Sequence, residues 1–207
     1  MVCEIVRNTL WIFCAFLSAC TPSDTSLHFN SEGKNLILSG IIDGTTPERF
    51  KEAMILNPLT EMLVLKNIAG SINDEANYEF GRAVNISKLN THIPAKGMVA
   101  SGGTDLFMAG IERTIEDGAC VGVHSWSWTH KSAEDRDGSN LSRTNLAHDK
   151  FLKYFDEIGV DRSFYWFTLE AAGAKSMYWM TVADIKKYKI TTQSVNNLSQ
   201  SVDCKNR

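Results

Sequence analysis

Proline is scarce, with four residues in 207, and the chain has no internal repeat and no low-complexity linker. A fibrous, disordered or linker-joined architecture is therefore excluded, and one globular domain is expected from 43% hydrophobic and 22% charged residues. Positive charge is not in excess: 21 Lys and Arg stand against 24 Asp and Glu, for a net charge of -3. That balance lacks the basic footprint a phosphate backbone requires, so no nucleic acid is expected as a partner. The glycine turns contain no Gly-x-x-x-x-Gly-Lys pattern and give no phosphate cradle. His28, His92, His130 and His148 lack paired ligand spacing, and no zinc site or other cofactor is expected.

No long apolar run is present either. The stretch at residues 10–19 follows Arg7 and is too short to span a bilayer as a helix, so residues 1–19 read as a signal segment. It ends in Leu17-Ser18-Ala19-Cys20, which looks like a bacterial lipobox, with small residues before a cysteine that becomes lipid-modified. On this reading the mature chain starts at Cys20, sits in the periplasm or cell envelope and meets the membrane through acyl chains. Residues 20–35 form the lipidated, polar tether. The alternatives are a plain secretory signal with an incidental Cys20 and a cytosolic N-terminal helix. Cys120 lies in an apolar run and Cys204 in a polar tail, residues 191–207. An oxidising compartment would permit them to pair, but a buried free thiol is the expected state of Cys120.

Between residues 36 and 190 the pattern alternates. Strands are expected at 36–42, 62–68 and 93–100, then at 112–115 and 119–126. Helices are expected after Thr46-Pro47-Glu48, over 72–87, where Ala76, Phe80, Ala83 and Val84 share a face, and over 104–110. Further helices follow Asn145, with an apolar stripe of Phe151, Leu152, Phe155 and Ile158, and span 163–172 and 181–188. Residues 131–143 are polar and aperiodic, a surface loop. The alternation indicates an α/β domain with helices packed on a largely parallel sheet.

Chemistry is suggested by Ser101, where the run 93–100 breaks into Ser-Gly-Gly, and by His124, which ends the run 119–123. A serine hydroxyl needs an imidazole to take its proton, and a strand-to-helix turn can expose it beside free backbone N–H groups. Taken alone, Ser101 would be a turn residue and His124 a strand-end histidine. Four of the five tryptophans, at 126, 128, 166 and 179, read as core and cleft wall rather than a cofactor box.

Three segments occur in order: Asn67-Ile68-Ala69-Gly70-Ser71, Ala100-Ser101-Gly102-Gly103 and Gly122-Val123-His124. Together they resemble the Clp protease and crotonase superfamily, including a less characterised exported branch. The resemblance implies an α/β fold of repeated ββα units with a largely parallel sheet flanked by helices. It implies a serine hydrolase acting on a peptide or small acyl substrate through an acyl-enzyme, a peptidase first and an esterase or amidase second. Ser101 matches the nucleophile, His124 the base, and the N–H groups of Gly70 and Gly102 the oxyanion hole. The family's acid position reads Gly173 to Met180 here, without a carboxylate. Glu170 is the nearest acid upstream and the candidate third member; a Ser–His dyad oriented by a carbonyl or hydroxyl is the competitor. A lysine base, Lys131 or Lys175, is the further alternative. Oligomers are usual in the superfamily, so a homo-oligomer is expected from the resemblance. The missing acid leaves a noncatalytic binding or assembly module of the envelope as the rival reading, and an acyl-CoA enzyme of the crotonase branch as a second.

Overall fold

A computed structural model describes residues 25–127, 137–199 and 201–206. The elements run β1 (His28–Glu32), β2 (Asn35–Ile42), α1 (Thr46–Leu56), β3 (Met62–Ser71), α2 (Asp74–Ile86), β4 (Asn90–Ile93), β5 (Met98–Ala100) and α3 (Gly102–Met108). They continue with β6 (Arg113–Ile115), β7 (Cys120–Val123), α4 (Asp149–Glu157), α5 (Arg162–Ala171), β8 (Tyr178–Trp179), α6 (Val182–Lys187) and α7 (Ser201–Cys204). The sheet order is β1-β2-β3-β5-β7-β8, with β4 on β3 and β6 on β4. Every pairing is parallel except those of the two edge strands β1 and β8. The expected α/β class, a mostly parallel sheet flanked by helices, is the observed one.

β3 is the strand that shapes the sheet. Its first half, Met62–Val64, pairs with β4, and Asn67 and Ile68 pair with β5. The single strand expected over 93–100 is thus two strands. Pro94 lacks the N–H a ladder needs, and a turn closed by Gly97 N–H on the Pro94 carbonyl (2.6 Å) separates β4 from β5. The alternation of β2 buries Leu36 and Leu38, and Leu63, Leu65 and Ile68 of β3 join them in the core. α2 begins at Asp74 rather than 72 because the Asn73 side chain caps it, accepting the Ala76 N–H at 3.0 Å. Its Phe80 and Val84 close over the sheet, as spacing predicts.

The two chain ends depart from expectation. Residues assigned to the tether are already packed from Leu27, which is fully buried, and β1 makes a hairpin with β2 through Gly33 in the left-handed region. The polar tail is tied down as well: the Asn196 and Asn197 N–H groups reach the Asp117 carboxylate, and Ser199 N–H reaches the Ala119 carbonyl at 3.0 Å. This return lays the tail beside the start of β7 and brings Cys204 to Cys120 as a disulfide. The free thiol expected for Cys120 is therefore corrected. The sulfurs pack among Met98, Ala100, Met177 and Trp179.

A cross-link between residues 84 apart removes loop entropy from the unfolded chain, a stabilisation of roughly 4–5 kcal/mol. Cys204→Ser is expected to lower the urea midpoint accordingly, and dithiothreitol should lower wild type to the same level while leaving the variant unmoved. A wild-type midpoint insensitive to reductant would show that the bond does not form.

Candidate active site

The C-terminal ends of β3, β5 and β7 lie side by side, and each delivers one group. β5 ends at Ala100, level with Gly122 on β7, and the Ser101 N–H continues the ladder to the Gly122 carbonyl at 3.0 Å. Ser101 then turns the chain at φ 53 and ψ −129, outside the wells that L-residues favour. Its carbonyl accepts the Thr104 N–H (2.8 Å) and the Asp105 N–H (3.3 Å), which starts α3, and the Thr104 hydroxyl returns to the Gly122 carbonyl at 2.8 Å. Strand ladder and first helical turn thus hold the strained serine from both sides, leaving its side chain half-buried at the sheet edge.

Gly70, on β3, adopts φ 145, which a side chain resists, and a Cβ there would lie 3.3 Å from Ser101 Cβ and 3.7 Å from its Oγ. Gly102 opens α3, where a backbone N–H has no acceptor inside the helix. A Cβ on Gly102 would meet Ser71 at 2.8 Å and Asn77 Nδ2 at 2.9 Å. Buried Asn77 also donates from Nδ2 to the Gly102 carbonyl at 3.1 Å, so α2 fixes the peptide next to the serine. Sequence reading missed Asn77, although its place inside the apolar face of α2 marked it as a polar residue in need of a partner.

His124 leaves β7 on the neighbouring strand, one residue beyond the level of Ser101. Burial pushes its pKa below the ordinary 6.5, while the Ser125 and Ala174 carbonyls and the Asp137 charge pull the other way. Its Nδ1 is buried and has no hydrogen-bond partner among the described residues. No hydrogen bond joins the Ser101 hydroxyl to the ring among the described residues.

Asp137 binds together the segments around this ring. Its Oδ1 accepts from the Ser139 N–H (3.0 Å) and hydroxyl (2.7 Å), and its Oδ2 accepts the Ala174 N–H at 2.7 Å. Buried Ser125 also bonds it, and these donors outweigh burial to hold its pKa at about 2. Glu170 lies elsewhere. It is exposed on α5, ion-paired with Arg143, and lines a surface hollow of about 430 Å³ with Trp166 and Tyr188. It is not among the groups acting on His124. Lys175 is exposed in the turn beside Ala174, while Lys131 and Cys20 lie outside the described residues. Among the described residues no group of His, Cys, Asp and Glu is placed to hold a metal ion.

No protein-family model and no curated protein matches the sequence. Solved structures do. A mutant of the 1510-N membrane-bound stomatin-specific protease is 13% identical over 77% of each chain, with a TM-score of 0.55. A second mutant of that protease, in complex with a substrate peptide, is 14% identical over 77% of this chain and 73% of its own, with a TM-score of 0.54. A mutant ClpP1 from Listeria monocytogenes is 12% identical over 83% of this chain and 95% of its own, with a TM-score of 0.52. The chain has the Clp protease-like fold.

Proposed function

We propose, from the Clp protease-like fold and the groups at its sheet edge, that this protein is a serine hydrolase and first of all a peptidase. The carrying observation is that Ser101, held in a strained turn, abuts Gly70 on one side and opens α3 at Gly102 on the other, with His124 on the adjacent strand end. Ser101 Oγ attacks the substrate carbonyl as His124 takes its proton, and the oxyanion is met by the N–H groups of Gly70 and Gly102. His124 returns the proton to the leaving amine, and water then releases the acyl group by the reverse sequence. The Ser125 and Ala174 carbonyls and the Asp137 charge favour the protonated ring that forms when His124 takes the proton. A peptide is preferred as substrate because one of the similar structures carries one.

The proposed site of action is the cell envelope, through lipid on Cys20. The described chain supports a defined orientation for that anchor. The Thr25 carbonyl accepts the Ile41 N–H at 2.9 Å, Ile41 is level with Gly70, and Gly70 touches Ser101. The five-residue reach from Cys20 to Thr25 spans at most about 17 Å. A lipidated Cys20 would therefore turn the Ser101 edge of the sheet toward the bilayer, where membrane-proximal segments are the accessible substrates.

The pH profile of kcat/KM tests the proton carrier. His124 must be neutral to accept a proton, and burial lowers its pKa, so activity should be constant at pH 7–8 and fall tenfold per unit below a limb under 6.5. A limb above 6.5, or one that persists in the residual activity of His124→Gln, would remove His124 as the base.

A further inference from the structure

The oxyanion donor at Gly102 depends on which way one peptide faces. The Ser101–Gly102 peptide turns its carbonyl into α3, where it accepts the Thr104 N–H at 2.8 Å and the Asp105 N–H at 3.3 Å. A trans peptide then points its N–H the opposite way, out of the helix. That orientation is the strained one. With Ser101 at φ 53 and ψ −129, a half-turn of the peptide brings ψ to about +51, beside the left-handed well that residues of positive φ prefer. Gly102 has no side chain to resist the matching change in its own φ, and Gly103 follows it. Two glycines in the first turn of a seven-residue helix give this peptide little stiffness of its own.

Stiffness is supplied from α2. Asn77 is 1% exposed, one of the buried positions of α2 that include Tyr78, Phe80 and Val84. Its Nδ2 donates to the Gly102 carbonyl at 3.1 Å and stands 2.9 Å from where a Gly102 Cβ would lie, so bond and contact together keep Gly102 from rolling. No other side chain bonds either glycine among the described residues. The rest of the amide does nothing for the fold: Oδ1 is buried and has no hydrogen-bond partner among the described residues. A half-satisfied amide in an apolar layer carries a desolvation cost that a leucine of similar size would not. That cost falls on stability, and the group that benefits is the backbone of Gly102.

We propose that Asn77 is a positioning residue, which holds the Ser101–Gly102 peptide with its N–H toward the substrate oxyanion and against a half-turn into a relaxed, inactive orientation. In the turned state the Ser101 carbonyl oxygen would face the oxyanion, and the hole would repel the charge it has to bind. The catalytic consequence rests on the hydrolase reading; the hold on the peptide does not.

Asn77→Leu removes the donor and keeps the volume, and Asn77→Ala removes it without added bulk, so that misfit of the leucine cannot imitate the result. With a nitrophenyl ester as substrate, both variants are expected to lower kcat by about 10²-fold, toward the lower end of the loss of an oxyanion donor, and to leave KM within about twofold. A peptide boronic acid, whose tetrahedral adduct on Ser101 presents an oxygen to the same N–H, should lose affinity by the same factor. The Tm of Asn77→Leu should equal or exceed that of wild type. In ¹⁵N-labelled protein the Gly102 N–H should give one NMR signal in wild type and a second or exchange-broadened signal in both variants. An unchanged kcat, or a raised KM with kcat kept, overturns the positioning role while Ser101-dependent turnover keeps the hydrolase. A loss of kcat that accompanies a fall in the Tm of Asn77→Leu and a single unchanged Gly102 signal assigns Asn77 to folding and overturns the role as well. If Ser101 gives no turnover and takes no fluorophosphonate in wild type, the hydrolase reading falls. The Gly102 signal then decides the hold on the peptide: a second signal in the variants sustains it, and one common signal in all three proteins overturns it.

Discussion

Ser101→Ala is expected to lower peptide hydrolysis by about 10⁴-fold or more and to abolish labelling by a fluorophosphonate probe. Stability should stay within about 0.5 kcal/mol of wild type, because the hydroxyl has no hydrogen-bond partner among the described residues. Ser101→Gly separates chemistry from folding more sharply. The backbone at φ 53 and ψ −129 stores strain that only glycine relieves, so this variant should be inactive yet more stable by about 1 kcal/mol in urea unfolding. An active-site serine in a strained turn predicts that opposition between activity and stability, whereas a serine retained for structure predicts a loss of stability in both variants. Folded wild type that resists the probe would favour the binding-module reading.

Much of this arrangement is legible in the sequence. The β-α alternation placed the sheet, and the break from an apolar run into Ser-Gly-Gly placed Ser101 at a strand end, because glycine and the first helical turn leave local marks. The split of β4 from β5 was marked by Pro94 and Gly97 and was overridden by the apolar neighbours of that turn. Glu170 was a helical-phase error: the buried face of α5 is Phe164, Tyr165, Thr168 and Leu169, and the wheel turns the next residue to solvent. The disulfide was not legible, because pairing over 84 residues depends on where the tail returns, which Asp117 and Ala119 decide through backbone bonds. Asp137 was hidden for a similar reason. It stands in a polar stretch with no periodicity, and its value comes from Ala174, brought beside it only by the fold.

Asp137→Asn is expected to lower kcat by roughly 10²–10³-fold, although Asp137 makes no direct bond to the His124 ring. The substitution removes the charge that favours the imidazolium, and it sets an amide nitrogen against either the Ala174 N–H or the Ser139 N–H, one donor facing another. The first effect moves the proton affinity of His124, and the second loosens the turn at Ala174, which Asp137 ties down. Their signs are distinguishable. Loss of a nearby negative charge lowers the His124 pKa further, so the acid limb of kcat/KM must move to lower pH even as the rate at pH 8 falls. A group that merely braces the loop would reduce the rate and Tm together and leave the limb in place. In a His124→Ala background the same substitution should cost almost no further activity, because residues that act through one ring do not contribute separately once the ring is gone. A full additional loss in that background would mean that Asp137 serves the site by a route other than His124.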